Sequence, residues 1–456
     1  MKNIITMTDS YKFSHYAQYP DNTKTVFSYF ESRVGAKFPE TVFFGLQYFL
    51  KEYLHGAVIS KEKIADAKAL CDAHIAPGLF NESAWLRMLE KHDGRLPVQI
   101  RAVPEGSVIP ESNVLMTMEN TDEEFPWLTN YLETLLVQVW YPSTVATQSR
   151  AMKKILLGFL EETGDPALIN FKLHDFGFRG VSSVETAGLG GAAHLVNFMG
   201  TDTVRGLEVA RDYYGAGICG FSIPASEHST ITSWGQDGEG AAYKNMLTKY
   251  PSGLVACVSD SFDIYNACKN IWGGSLRDDV LGRDGTLVVR PDSGDPSDVV
   301  PRILEILGDK FGEMKNAKGF KVLNPRVRII QGDGVNFSTL WEILTAVKRA
   351  GYSADNIAFG SGGGLLQQVN RDTQRFAFKC SAINIGGTWQ DVYKDPATDK
   401  TKASKRGRVT LIQENGHVKT VTGSEKSDSD LMKIVFQNGM LIGEEKFDLI
   451  RKRAEL

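Results

Sequence analysis

Several short stretches combine acidic, basic and hydroxyl side chains with glycine, each just past an apolar run. RPDSGDP places Arg290, Asp292 and Asp295 after TLVV. QGDG sets Asp333 between Gly332 and Gly334, and GSGGG offers Gly362, Gly363 and Gly364. Glycine loops that lead into helices suit phosphate, because several N–H donors converge and the helix end adds positive potential. The plain alternative is a turn, and two such loops in succession beside RPDSG weigh against it. HDFGFRG contributes Arg179, a planar fork for phosphate or carboxylate, with Phe176 and Phe178 as stacking platforms or core residues. In GTDT, Asp202 either accepts from a ligand N–H or caps the next helix.

SEHST holds His228, one of eight histidines in the chain. No histidine or cysteine lies at metal spacing from it, and there is no HExxH, so zinc is excluded. It has no GxSxG elbow either, which removes a hydrolase triad. Three readings stay open: a base, a buried hydrogen-bonded residue, or a nucleophile that takes a phosphoryl group while a carboxylate orients the far nitrogen. Farther on, NRDTQRFAFKCS carries Arg371, Arg375 and Lys379, and YKDPATDKTKASKRGR carries Lys394, Lys400, Lys402, Lys405 and Arg406. The second run reads as a cationic lid over polyphosphate or as a solvated loop.

The elements that must position these residues follow from pattern. FKLHDF, GLVACVSDSFD, TLVVRPDSGDP, RVRIIQGDG and NIAFGSGGG each read as a strand with a polar exit. Each is followed by a helical stretch: VETAGLGGAAHLVNFM, DIYNACKNIWG, SDVVPRILEILGDKF, STLWEILTAVKRAG and LLQQVNRD. Five strand–loop–helix units in a row predict a parallel α/β domain. Period alone leaves barrel and open sheet both open. A GxGxxA spans Gly188 to Ala193, but inside a helical stretch, so it is accidental as a dinucleotide signature. TVFSYF alternates like a strand, TVFFGLQYFLKEYL reads as a helix, and VQIRAVPEGSVIPESNVLMTMEN as short antiparallel strands. PWLTNYLETLLVQVWYPSTVATQSRAMKKILLGFLEE holds two helical patterns parted near Pro142. ENG and QNG are hairpin turns in a β-rich C-terminal part. The expected division is residues 1–150 as an α+β part, 151–385 as the α/β domain, and 386–456 packing with the N-terminal part.

Length and composition bound the rest. The 456 residues suffice for two or three folding units. With 51 Lys and Arg against 55 Asp and Glu, the net charge of −4 argues against bulk capture of nucleic acid. No run of 18 apolar residues exists to span a membrane. The five cysteines form no CxxC pair, and MKNIITMTDSYKFSHY has no apolar h-region, so a reduced, cytoplasmic protein is expected.

The stretches TDSYKFSHYAQYP, YPSTVATQSR, KLHDFGFRGVSS, ETAG, NFMGTDT, IPASEHSTIT, VSDSFDIYNAC, VVRPDSGDP, IQGDG and IAFGSGGGLLQ run through nearly the whole chain. Together they closely resemble the nicotinamide phosphoribosyltransferase family, of the type II phosphoribosyltransferase fold. The resemblance implies an irregular (β/α) barrel and a second, β-rich α+β domain built from both chain termini. It implies a homodimer with active sites at the subunit interface. The reaction would be nicotinamide plus 5-phosphoribosyl 1-pyrophosphate (PRPP) to nicotinamide mononucleotide and pyrophosphate, with Mg²⁺, and with ATP as co-substrate.

Position by position, the resemblance implies that Phe176 and Tyr11, the latter from a partner subunit, sandwich the pyridine ring, and that Asp202 accepts from the carboxamide. Arg290 and Asp292 would hold the carboxamide and ribose side, with Asp292 close to the metal. Gly332, Asp333, Gly362 and Gly363 would bind ribose and its 5′-phosphate, and Arg179 would serve phosphate and ring. Asp9, Arg33, Arg371, Lys379 and Lys394 would complete the pyrophosphate side. His228 matches the family histidine that ATP phosphorylates, and Asp260 or Asp263, with Asp260 at the family position, would orient it. The chain is short between Arg33 and Glu40, which suggests a bacterial source, and Ala377 stands where relatives carry a hydroxyl near the phosphate. The rival readings are a nicotinate-preferring enzyme, which Asp202 would disfavour by charge repulsion, and a non-enzymatic binding protein.

Overall fold

The computed structural model describes residues 2–398, 403–423 and 429–456. The chain forms two units: one of residues 1–147, 209–216 and 370–455, the other mainly of residues 148–208 and 217–369.

The first unit is organised by a seven-stranded antiparallel sheet. Its order is Thr388–Asp391, Phe376–Ile385, Thr23–Ser32, Asn113–Asn120, Val98–Ala102, Lys433–Gln437 and Met440–Leu441. Strands from both ends of the chain therefore interleave in one β-rich α+β domain. Seven consecutive residues of Thr23–Ser32, from Val26 onward, are buried, because elements cover both faces of this central strand. The ENG and QNG turns behave as their composition dictates. Asn415 and Gly416 have φ of 52° and 79°, Asn438 and Gly439 φ of 51° and 80°, the left-handed pair that a two-residue hairpin of matching twist requires. The aromatic TVFFGLQYFLKEYL stretch is helical only over Leu46–Phe49 and Leu50–Leu54. Pro142 lies in the first turn of the helix Trp140–Thr163, where a missing N–H leaves no bond unmade.

The second unit is the α/β domain. Six parallel strands run in the order Gly200–Thr201, Leu173–Asp175, Ile357–Ser361, Val327–Gln331, Asp284–Arg290 and Ser252–Val258. The sheet curls strongly. Its two edge strands meet the same irregular segment, through parallel bridges Gly200 to Phe221 and Ala225 to Ala256. Pro224 has no N–H to give, so this segment cannot pair along its length, and the barrel is irregular there. One set of alternate residues, Ala256, Val288 and Ile330, packs inside the curl with Ile223, Ala358 and Phe176. The opposite set, including Val255, Leu287, Val289 and Ile329, is buried on the other strand face.

Helices follow the strands as the pattern predicts at Val184–Leu195, Pro296–Phe311 and Phe337–Arg349. LLQQVNRD yields only a single turn, Gly363–Leu366. The two-residue strand Gly200–Thr201 and the helix Glu239–Lys249 were not foreseen, the strand being too short to show a period. The glycine run inside Val184–Leu195 serves packing: a Cβ on Gly191 would stand 3.0 Å from Gly206 Cα and 3.3 Å from Asp175 Oδ2.

Candidate active site

All parallel strands point their C-terminal ends the same way, and the chemistry-bearing residues of the second unit lie at those ends. Leu173–Asp175 leads into Phe176 and Arg179, Gly200–Thr201 into Asp202, and Ser252–Val258 into Asp260. Asp284–Arg290 leads into Asp292, Val327–Gln331 into Gly332 and Asp333, and Ile357–Ser361 into Gly362 and Gly363. The bridging segment delivers His228 to the same end.

Two cavities open there. One of about 650 Å³ is lined by Phe176, Arg179, Asp202, His228, Arg290 and Asp292 among others. A second of about 390 Å³ is lined by Gly332, Asp333, Gly334, Gly362, Gly363 and Gly364. Phe176, Arg179 and Arg290 line both. The glycine loops leave the backbone bare: a Cβ on Gly332 would lie 3.0 Å from Arg290 Nε, and one on Gly364 2.6 Å from Val335 O. Asn336 caps the helix Phe337–Arg349 by accepting from Ser338 and Thr339 N–H. Those two N–H groups of the helix start are therefore already engaged, whereas the glycine loops present bare backbone to the cavity.

Around the larger cavity, each group is held by a neighbour. Arg290 donates to Asp292 Oδ1 from Nε and Nη2, at 3.1 and 2.8 Å, and its guanidinium lies 5.4 Å from the Phe176 ring centre. Asp202 accepts from the Ser222 hydroxyl, and its N–H donates to Asp175 O at 2.9 Å. Behind it, the buried Asp175 accepts from Gly177 N–H at 2.7 Å. Burial pushes its carboxyl up to about 6, and the nearby Asp202 charge adds to the rise. Burial also lowers the His174 imidazole below its ordinary range.

His228 begins the short helix His228–Thr232 and is half exposed. Its Nε2 lies 3.1 Å from Asp260 Oδ1, and its Nδ1 4.0 Å from Asp292 Oδ2. Asp263 instead caps the next helix, accepting from Tyr265 and Asn266 N–H. Three residues around this cavity escaped sequence reasoning. Ser293 donates to Asp260 Oδ2 at 2.6 Å, Ser222 holds Asp202, and Glu227 accepts from the Ser229 hydroxyl. Ser293 lay inside the quoted RPDSGDP, but nothing local in that string reveals its partner.

The remaining expected residues belong to the first unit. Asp9 accepts from Thr134 at 2.8 Å, and Tyr11 is 59% exposed. Arg33 donates to Arg375 O at 3.2 Å, while Arg371 stands 3.6 Å from Asp372. Lys379 is exposed on Phe376–Ile385, and Lys394 is exposed with its N–H on Ser404. Ala377 is buried opposite Glu31. In the basic run, Lys405 pairs with buried Glu31 and Arg406 lies over the Tyr393 ring, whereas Lys400 and Lys402 lie outside the described residues.

Comparison with known proteins fits this geometry. Residues 171–440 match the nicotinate phosphoribosyltransferase (NAPRTase) family, and residues 3–100 match the N-terminal domain of nicotinamide phosphoribosyltransferase. A nicotinamide phosphoribosyltransferase of Xanthomonas campestris is 51% identical, over 100% of this chain and 98% of that protein. The chain belongs to the nicotinamide phosphoribosyltransferase family. It is a pentosyltransferase. An Acinetobacter baylyi nicotinamide phosphoribosyltransferase is 32% identical over 99% of this chain and 97% of its own length. The fold is also that of a Pyrococcus furiosus nicotinate-nucleotide pyrophosphorylase, at 16% identity and a TM-score of 0.62, covering 99% of this chain and 95% of that one. Among the described residues, no helix is long and apolar enough to cross a membrane.

Proposed function

We propose that this member of the family transfers the 5-phosphoribosyl group of PRPP to nicotinamide, giving nicotinamide mononucleotide and pyrophosphate in NAD salvage. The observation that carries the reading is the pair of adjoining cavities: a ring site with a carboxylate beside it, and a glycine cradle, sharing Phe176, Arg179 and Arg290. Phe176 stacks on the pyridine ring, and Tyr11 of the partner subunit covers its other face in a homodimer. Asp202 accepts from the carboxamide N–H₂. Its charge repels a carboxylate in the same place, which favours the amide over the acid. Gly332, Asp333, Gly362 and Gly363 hold ribose and its 5′-phosphate, with Arg179 on phosphate and ring.

C1 of PRPP reacts through an oxocarbenium-like state as pyrophosphate leaves. The chain's task is to place the pyridine nitrogen and to neutralise the leaving group, more than to supply a strong base. Arg290 and Asp292 hold the carboxamide and ribose side; Arg33, Arg371, Lys379 and Lys394 neutralise the leaving group across the dimer, and Asp9 completes that side. Among the described residues, no group of three His, Cys, Asp or Glu could hold a metal by itself. Asp292, whose Oδ1 accepts from Arg290 while Oδ2 accepts no hydrogen bond from the described residues and lies 4.0 Å from His228 Nδ1, would suit an ion that takes one carboxylate and is otherwise held by phosphate oxygens, as Mg²⁺ is. When bound, Mg²⁺ supplies charge neutralisation to the pyrophosphate.

His228 is assigned as the phosphoryl acceptor for ATP. Asp260 holds Nε2–H, which leaves the Nδ1 lone pair free to form the N–P bond as the β–γ bridging P–O bond breaks and ADP departs. Water then cleaves N–P to inorganic phosphate. That cycle couples ATP hydrolysis to tighter substrate binding and a forward-shifted equilibrium.

The test is synthesis by the purified protein from PRPP and Mg²⁺ with nicotinamide or nicotinic acid. Nicotinamide mononucleotide is expected, and equal or better turnover of the acid would overturn the assignment in favour of the nicotinate enzyme. His228→Ala should lose ATPase and phosphoprotein but keep weak ATP-independent synthesis. ATPase surviving in that variant would refute the histidine's role.

A further inference from the structure

The loop after Arg290 touches the histidine site at two points. Asp292 Oδ2 stands 4.0 Å from His228 Nδ1, and the adjacent Ser293 donates its hydroxyl to Asp260 Oδ2 at 2.6 Å. Asp260 is thus shared, with Oδ1 on His228 and Oδ2 on Ser293. The Asp260 side chain is 4% exposed, so water competes little for either bond. Backbone pairing between the two strand exits continues through Ser259 N–H on Arg290 O at 3.0 Å. Beyond that bond, Ser293 and Asp260 carry the connection through side chains. At its far end the loop is pinned by Asp295, which caps the helix Pro296–Phe311, and by Gly294, whose φ of 84° makes the turn before it.

We infer that Ser293 is a positioning residue that couples the two parts of the cycle, linking the loop that bears Arg290 and Asp292 to the His228–Asp260 pair. This rests on the reading of His228 as phosphoryl acceptor. A ligand that engages Asp292 moves or fixes the neighbouring Ser293. Through Asp260, the Ser293 hydroxyl then sets how the imidazole is aimed. The donated hydrogen bond also commits Oδ2 as an acceptor and directs the remaining carboxylate charge at Nε2–H. A carboxylate so held fixes the ring tautomer and its rotation. Without the hydroxyl, Asp260 can still bind His228, but its orientation no longer follows the loop. The ring site and the ribose cradle lose nothing directly.

The experiment compares Ser293→Ala, Ser293→Thr and Ser293→Cys with the intact enzyme. The readouts are ATP hydrolysed per nicotinamide mononucleotide formed, and the KM for PRPP with and without ATP. In Ser293→Ala, ATP-independent synthesis should stay within about twofold of the parent, while the ATP-induced fall in KM shrinks by roughly tenfold, a typical size for coupling between two ligands. ATP consumed per product should rise. Ser293→Thr, which keeps the hydroxyl, should restore both values, and Ser293→Cys, a weaker donor that retains the volume, should fall between them. A folded Ser293→Ala or Ser293→Cys with the parent's stoichiometry and ATP effect would overturn the coupling role. Failure of the underlying reading shows separately, as ATPase persisting in His228→Ala.

Discussion

Gly360 lines neither cavity, yet the position of Phe176, the proposed ring platform, depends on it. It lies within Ile357–Ser361 and has no positive φ, so alanine meets no backbone penalty there. The obstacle is Phe176. A Cβ at 360 would lie 1.9 Å from Phe176 Cε2, 2.1 Å from Cδ2 and 2.7 Å from Cζ. Carbon atoms settle at roughly 3.5–4.0 Å, so the ring edge must retreat by about 1.5–2 Å. Its backbone cannot follow, because Phe176 N–H is bonded to Ser361 O at 3.0 Å and Gly177 N–H to Asp175 Oδ1. Ala256, Val288 and Ile330 block the barrel interior. The ring must therefore swing toward the cavity and Arg290. Overpacking of this kind costs about 1–3 kcal/mol. A displacement of about 1 Å in a positioned group can cost on the order of 100-fold in rate. Gly360→Ala should thus raise the nicotinamide KM or lower kcat/KM by roughly 10–100-fold and lower Tm by several degrees. Steady-state kinetics with a thermal melt would read both. Gly158→Ala is the control: it lies in the helix Trp140–Thr163 and its Cβ meets nothing within 4 Å. That variant should keep the parent kinetics and gain up to about 1 kcal/mol. A folded Gly360→Ala with unchanged nicotinamide kinetics would refute Phe176 as the platform.

Other outcomes follow from the same geometry. The Asp175 carboxyl, pushed up to about 6 by burial, holds its proton more tightly in the folded chain than in the unfolded one. It therefore costs stability as pH rises from about 4 through 6, and Asp175→Asn should gain on the parent across that window by on the order of 2–3 kcal/mol; melts at pH 4 and 7 that show no such divergence would contradict this. Asp202→Asn removes the repelling charge, so the ratio of kcat/KM for nicotinic acid over nicotinamide should rise by roughly tenfold or more, and competition assays that leave the ratio unmoved would clear Asp202 of the choice. Lys172 is buried at the opposite end of the barrel and donates to Ala354, Asp355 and Ile357 carbonyls at 2.8, 3.1 and 2.9 Å. Lys172→Met should lose about 2 kcal/mol or more in denaturant unfolding, since two buried acceptors and one partly buried one lose their donor, with the KM for both substrates unchanged.

What could be read from the sequence, and what could not, divides along a physical line. A strand and the polar loop after it are contiguous, so composition exposes them: RPDSGDP, QGDG and GSGGG showed themselves as loops with donors and carboxylates. The hairpins were legible for the same reason, because Asn415–Gly416 and Asn438–Gly439 carry their conformation in their own residue types. Neighbour order in the sheet is a long-range fact and leaves no local trace. Leu173–Asp175 pairs with Ile357–Ser361, nearly two hundred residues on, and this alone brings Gly360 under Phe176. Phe376–Ile385 pairs with Thr23–Ser32, an interleaving that no period in either segment announces.

The same division separates two kinds of site residue. Those that face the cavities, such as Asp202, Arg290 and His228, belong to types whose chemistry is visible wherever they stand. Those that aim them, such as Gly360, Ser222, Ser293 and Asp175, are ordinary residues made consequential by which strand lies next door. Asp260 shows the point most sharply. Asp260 and Asp263 follow the same strand three residues apart, and type and spacing could not choose between them without the family position. The choice follows from the adjacent strand: Ser252–Val258 pairs with Asp284–Arg290, so the exit of the latter brings Ser293 to Asp260, while Asp263 is committed to the helix it caps. A carboxylate bonded on one oxygen and aimed by a serine on the other is a more constrained partner for an imidazole than one at the start of a helix. The pairing of strands, more than the motif, decides how His228 is held.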